Sequence, residues 1–448
     1  MQAENGLLHR FLNVNGTAKM KYFVAVLGAL LLPVNLYAAD LLSLYQQARQ
    51  SDPQIRAARA NREAGQEARP QALSQLLPNL SLSGDVAYSD RDAHSAGQSD
   101  YTSDALVLSA VQPLFRKDRL VALEQADEQI KQADANLDAA RQELILRVAQ
   151  AYFAVLAAED NLTFAQREKK AISRQLDQAQ ERFEVGLVAI TDVHEAQARF
   201  DQARANEISA RNLVDNALEA LREIVPEADY NLDTLKDEVP LLAPEPQDMQ
   251  QWSDTALQRN PSIISARLAR NIARQEIQAR QAGHYPTVDL VGTYSRSRGD
   301  EAFGSDVDLA KIAVQLAVPI YSGGGVNSAT RQARFQYEAA QENLEAEYRA
   351  VGRQVRDAYR GIETSISSVK ALKATELSAR SALEATEAGF EAGTRTLVDV
   401  LNSQRDLYGA KRDYAKSRYD YVLNTLRLLQ AAGTLTEEDV VRVNTWLQ

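Results

Sequence analysis

The chain has 448 residues, a net charge of −11, 20 glycines, 12 prolines and no cysteine. The acidic balance argues against a broad nucleic-acid-binding surface. The lack of cysteine excludes disulfides, thiolate metal sites, a cysteine nucleophile and a lipid anchor on an amino-terminal cysteine. Sparse glycine and proline among long runs of Ala, Gln, Glu, Arg and Leu are the bias of long helices rather than of several compact globules.

Residues 1–38 read as a secretory signal, with 1–19 as a possible upstream extension. Lys21 supplies positive charge, Phe23 to Leu32 the apolar run, and Leu36-Tyr37-Ala38 the stretch before cleavage. The run is short for a membrane span and Pro33 interrupts it. No later segment reaches the roughly 20 apolar residues of a transmembrane helix, so any crossing has to be made by strands.

From Ala39 onward the sequence is written twice. Pro78 returns as Pro286, Asp52-Pro53 as Asn260-Pro261, Tyr152 as Tyr359 and Gly186 as Gly393, an offset of about 208 residues throughout. The first repeat is expected over 39–225 and the second over 251–432, with a terminal segment at 433–448. Between them lies a connection at 226–250, made irregular by Pro226, Pro240, Pro244 and Pro246. Each repeat reads as a helix, a β-hairpin (79–115 and 287–321), a long helix (117–184 and 326–392) and a returning helix (188–224 and 396–431).

In the hairpins, Leu80, Leu82, Val86 and Tyr88 alternate with polar residues. Val288, Leu290 and Tyr294 alternate with Asp289, Val291 and Thr293, and Ile312, Val314, Leu316, Val318 and Ile320 alternate with Ala313, Gln315 and Ala317. Leu106 and Leu108 begin the remaining strand. Period two with one apolar face is what a membrane-spanning strand requires. The connections at 90–102 and 298–306 are polar and suit an aqueous surface.

The long helices carry coiled-coil seams. Leu123, Ala126, Ile130, Ala133, Leu137, Ala140 and Leu144 step by three and four, and the stripe runs on through Val148 and Val155 to Leu176 and Phe183. Two successive steps of four, Ala140-Leu144-Val148 and Glu347-Val351-Val355, form the same stutter in both repeats and locally unwind a left-handed supercoil. A helix over 117–184 rises about 100 Å at ~1.5 Å per residue. Gly186 and Gly393 mark the helix reversals. Asp192 with Glu195, and Thr396 with Asp399, have capping-box spacing at the starts of the returning helices.

Helices of this kind alone would equally suit a periplasmic coiled-coil adaptor or scaffold. The strands tip the reading towards a membrane. Four strands leave two edges, which hydrocarbon forbids, so closure needs other subunits. Two chains would give a barrel filled by side chains, and three would leave room for a channel. Catalysis finds no support. His9, His94, His194 and His284 have no metal-ligand spacing, and Gly323-Gly324-Gly325 is not followed by a phosphate-loop lysine. No cofactor or metal is expected.

The segments Gly186-Leu-Val-Ala-Ile-Thr-Asp-Val193, Gly393-Thr-Arg-Thr-Leu-Val-Asp-Val400 and Val318-Pro-Ile-Tyr-Ser-Gly-Gly324 resemble the TolC family of bacterial outer-membrane export channels, and the resemblance covers the whole chain after the signal. It implies a mixed α and β membrane protein: a homotrimeric twelve-stranded transmembrane β-barrel, four strands per chain, continuous with a periplasmic α-helical barrel. It further implies outer-membrane lipid around the strands, and a periplasmic adaptor (membrane fusion) protein and an inner-membrane transporter as partners in efflux or type I secretion. In such channels the tip is closed by polar links between helices. The matching positions are Thr191, Asp192, Phe390, Arg395, Asp399 and Asn402. The resemblance pairs Arg395 with Thr191 or Asp192 and places Asp399 on the pore. Phe390 departs from the family's tyrosine and Asn402 from a second pore-lining aspartate.

Overall fold

A computed structural model describes residues 39–93, 97–226, 230–299 and 306–448. The signal segment expected at 1–38 lies outside the described residues, as do 94–96 and 300–305 in the strand connections and 227–229 in the linker.

The elements fall into two series. The first runs α1 (Leu41–Ser51), α2 (Pro53–Gln66), α3 (Ala68–Ser74), β1 (Asn79–Ala93), β2 (Gly97–Phe115), α4 (Lys117–Glu184) and α5 (Ile190–Ile224). The second runs α6 (Met249–Arg259), α7 (Pro261–Gln281), β3 (Thr287–Arg298), β4 (Val307–Ala317), α8 (Gly325–Glu391) and α9 (Leu397–Ala431), and a short α10 (Glu437–Asn444) ends the chain. Local chemistry sets the starts. Asp52 and Asn260 occupy matching N-cap positions, each followed by proline at the first helical residue, and each side chain accepts a backbone N–H of the first turn.

The four strands form one antiparallel sheet in the order β1-β2-β3-β4, leaving β1 and β4 as edges. The register aligns Leu82, Leu108, Tyr294 and Ala310 in one row, and Ser81, Ser109, Thr293 and Lys311 in the next. Successive side chains point to opposite sides, so the first row belongs to a mostly apolar face and the second to a more polar one, which also carries Val107, Val111 and Val291. Among the described residues of a single chain nothing covers the apolar face: Leu80 is 68 % exposed and Ile312 83 %.

Three strand expectations need correcting. The residues expected as a loop over 90–102 are mostly strand, because β1 continues to Ala93 and β2 begins at Gly97. Backbone pairing such as Asp90 with Asp100 carries the ladder past the apolar stretch. Leu106 and Leu108 therefore lie in the middle of β2, not at its start. The last strand ends at Ala317, so Val318 and Ile320 leave the ladder, where Pro319 has no N–H to donate.

Below the sheet, α2, α4, α7 and α8 pack side by side in the order of the strands they join. Arg116, the residue before α4, grips Asp289 of β3 through two bonds, with Nε to Oδ1 at 3.0 Å. That bidentate pair ties the foot of the sheet to the helices. Further along, α4 packs on α5 and α8 on α9, forming two long antiparallel hairpins.

The largest core lies midway along α4. Besides the expected Leu144, Val148 and Val155, the chain buries Ile145, Leu146, Ala149, Phe153 and Leu156 there. A single seam does not anticipate this. Burial is all round because α1 and α9 pack on this stretch, and residues of α6, α10 and the linker around Leu232 and Leu235 join the same cluster. Tyr152 is fully buried and donates its hydroxyl to the Asp233 carbonyl at 2.6 Å. Asp52, the buried N-cap of α2, is held by Arg147 of α4 through bonds of 3.1 and 3.0 Å.

Candidate functional site

The far ends of the two hairpins meet at a tip, and their reversals are built alike. At the first, Gly186 donates to Phe183 and Leu187 to Arg182; at the second, Gly393 donates to Phe390 and Thr394 to Gly389. This is the Schellman closure, and it requires a left-handed residue. Gly186 has φ of 75° and Gly393 of 72°, conformations that cost an L side chain strain.

The turns then diverge. Thr396 caps α9: its hydroxyl accepts the Asp399 N–H at 3.2 Å, and Asp399 Oδ2 accepts the Thr396 N–H at 3.0 Å. The capping box expected there is present. The one expected at Asp192 and Glu195 is not, because Ala189 is the N-cap of α5 and contributes no side-chain bond. Helix α5 begins three residues earlier than that spacing implied. Asp192 instead sits inside the first turn, where its charge complements the helix dipole.

Thr191 and Arg395 are exposed, while Asp192, Phe390, Asp399 and Asn402 are half-buried. The Thr396 backbone N–H, then its hydroxyl, hold the Asp399 carboxyl below the usual carboxylate range, and the Arg395 charge adds to this. Arg395 folds back over Gly389, where an added methyl would stand 2.8 Å from its Cγ. Among the described residues of one chain its guanidinium has no hydrogen bond or ion pair, so the pairing with Thr191 or Asp192 is not made within a subunit.

Two arginines absent from the sequence reading bridge the repeats. Arg182 of α4 lies over the Phe390 ring of α8, 4.7 Å from its centroid. Arg199 of α5 donates to Asn402 Oδ1 of α9 at 3.3 Å. Both contact the positions where the sequence departs from the family pattern. A small apolar cluster completes the tip. Ile172, Leu176 and Ala179 of α4, Ala196 and Ala203 of α5, and Leu397 and Leu401 of α9 are buried, with Val193, Phe200 and Phe390 against them. The only sequence signal for Arg199 is its place one heptad after Asp192 on the same helix face.

The geometry thus joins a two-faced, open-edged sheet to helical hairpins with a polar tip, the architecture of outer-membrane channel subunits. Solved structures share it. The Vibrio cholerae outer membrane protein VceC gives a TM-score of 0.75 at 20% identity over 88% of this chain and 96% of that one. CusC gives 0.78 at 17% identity over 89% and 95%. The family model "Outer membrane efflux protein" matches residues 44–225 and again 252–434, and the chain belongs to that family. It is 42% identical to outer membrane protein TolC of Vibrio cholerae over 92% of this chain and 95% of the relative. Against TolC of Escherichia coli the identity is 41% over 91% and 85%. Against the alkaline protease secretion protein AprF of Pseudomonas aeruginosa it is 32% over 92% and 88%. This is a TolC-family protein of the Gram-negative outer membrane.

Proposed function

We propose that three copies of this chain close a twelve-stranded barrel in the outer membrane and continue as a helical tube into the periplasm, forming a passive exit duct. The sheet carries the proposal: among the described residues one face is mostly apolar and uncovered, the other is more polar, and both edges are unpaired. Those edges and that face find partners when subunits meet in lipid. Helices of about 100 Å below the sheet give the duct its reach.

The tip is the gate. Its buried cluster is far smaller than the mid-helix core, so it is the end with least apolar packing to lose on opening. The Arg182–Phe390 and Arg199–Asn402 contacts hold the two hairpins of one subunit together. Arg395, without a bond among the described residues of its own chain, pairs with Thr191 or Asp192 of the neighbouring subunit. Asp399 from each copy lines the closed end.

Phe183, Val185, Leu187 and Ile190 expose apolar surface around the first reversal, which suits docking of a periplasmic adaptor. An inner-membrane transporter, working through that adaptor, supplies cargo and energy for efflux or type I secretion. The family's description as outer membrane efflux protein and a relative named for alkaline protease secretion support this reading. Reconstitution of the purified protein in planar bilayers tests it: discrete, long-lived channel steps are expected. A protein that leaves detergent as a water-soluble scaffold and conducts nothing would overturn it.

A further inference from the structure

Where α1, α2, α4 and α10 come together, away from both sheet and tip, three arginines converge on one cavity. Arg49, Arg59 and Arg141, with Gln46, Gln50 and Glu437, line a space of about 510 Å³. The three guanidiniums come from three different helices, against one carboxylate on the wall. Their present partners are few. Arg49 Nη1 lies 3.3 Å from Glu437 Oε2, Arg59 Nη2 donates to the Arg49 carbonyl at 2.9 Å, and Arg141 Nη1 pairs with Asp138 at 2.9 Å. Each guanidinium has five N–H donors in a planar fork, so among the described residues most of these donors have no protein partner.

Tyr45 lines the adjoining space. Its burial pushes the phenol up and Glu437 adds to that, while Arg49, Arg141 and Arg59 all act against it. One phenol thus feels all three cations. The adjoining space also adds Lys131 and Arg259, and its acids Asp134 and Asp138 are already engaged by Arg62 and Arg141. The N-terminus of α10, at Thr436 and Glu437, opens on the same side.

We infer that this cavity binds a soluble, multiply charged oxyanion, a compact group of phosphate or carboxylate oxygens, with Arg49, Arg59 and Arg141 as its donors and Glu437 as the internal carboxylate it displaces from Arg49. Guanidinium forks match such oxygens two at a time. A lipid headgroup is not the source. Arg141 lies about 36 Å along α4 from the foot of the sheet at ~1.5 Å per residue, beyond the reach of a phosphate at the membrane surface.

The test uses the full-length assembled protein in neutral detergent at low salt, titrated with inorganic pyrophosphate in a calorimeter. Saturable binding, one site per chain, is expected, and it weakens as salt screens the arginines. Arg59→Gln and Arg141→Gln each reduce affinity about tenfold through lost charge-assisted bonds, while Glu437→Gln tightens binding by removing the competitor. Circular dichroism and assembly mass confirm that each variant is folded. No saturable binding by the native protein overturns the site, as does equal binding by the Arg59→Gln, Arg141→Gln double variant. Unchanged affinity in Glu437→Gln overturns the displacement.

Discussion

Replacing Asn402 by aspartate turns the Arg199 link between α5 and α9 from a bond to a neutral amide into an ion pair. The two groups already stand 3.3 Å apart and are half-buried, so the new carboxylate needs no rearrangement. For a partly exposed pair the gain is about 0.7 kcal/mol per subunit. Three symmetric copies bias the closed tip by about 2 kcal/mol, a roughly thirty-fold shift towards closure at ~1.4 kcal/mol per decade. Single-channel recordings should show fewer and briefer excursions to high conductance. A ring of three new carboxylates also raises cation preference, and a second variant separates the two effects. In an Arg199→Gln background, Asn402→Asp should keep the selectivity change and lose the closure. If closure is as strong without Arg199, or absent with it, the Arg199–Asn402 bond is no part of the gate.

Arg395→Ser should raise single-channel conductance and admit large antibiotics such as vancomycin without altering assembly mass; wild-type conductance would remove Arg395 from the gate. Asp399→Asn keeps an oxygen for the Thr396 N–H while deleting the charge, so reversal potentials under a salt gradient should move away from cation selectivity. Unchanged potentials would place Asp399 off the pore. Arg147→Ala strands the buried Asp52 carboxylate and should destabilise the chain by about 3 kcal/mol in denaturant unfolding. Burial opposes ionisation of Asp52, but the Arg147 bond and the Ile55 N–H together hold its carboxyl below the ordinary range. A depressed folded value means this stabilisation is present above the unfolded carboxylate pKa of about 3.9 and lost as pH falls through the folded one. Arg147→Ala should therefore move acid unfolding to higher pH, and an unmoved midpoint would deny the linkage.

Much of this architecture is legible because it is periodic. Alternation located the hairpin at 79–115, whose strands run from Asn79 to Phe115, and the two glycines located both reversals. Periodicity fails where backbone pairing outruns the apolar pattern, as between Tyr88 and the end of β1. It also fails around Phe153, where several elements wrap one helix and no single stripe describes the burial. At the tip, a seam tells which face of α5 is inward but not which helix it meets. Arg199 and Asn402 are 203 positions apart, and only the packing of α5 beside α9 brings them together. Arg395 shows the complementary limit. It is exposed and has no bond among the described residues of one chain, and the pairing proposed for it lies between subunits, where no periodicity of a single chain can mark it.

Closure of three sheets into one barrel is tested most directly by cross-linking their edges. The chain has no cysteine, so Leu82→Cys on β1 can be combined in turn with Ala310→Cys, Ile312→Cys and Val314→Cys on β4 without background. Oxidation in native outer membranes should give, for at least one pair, a denaturing-gel ladder of one, two and three chains and nothing larger. A ladder that stops at two chains, or one that continues past three, would contradict the trimeric duct.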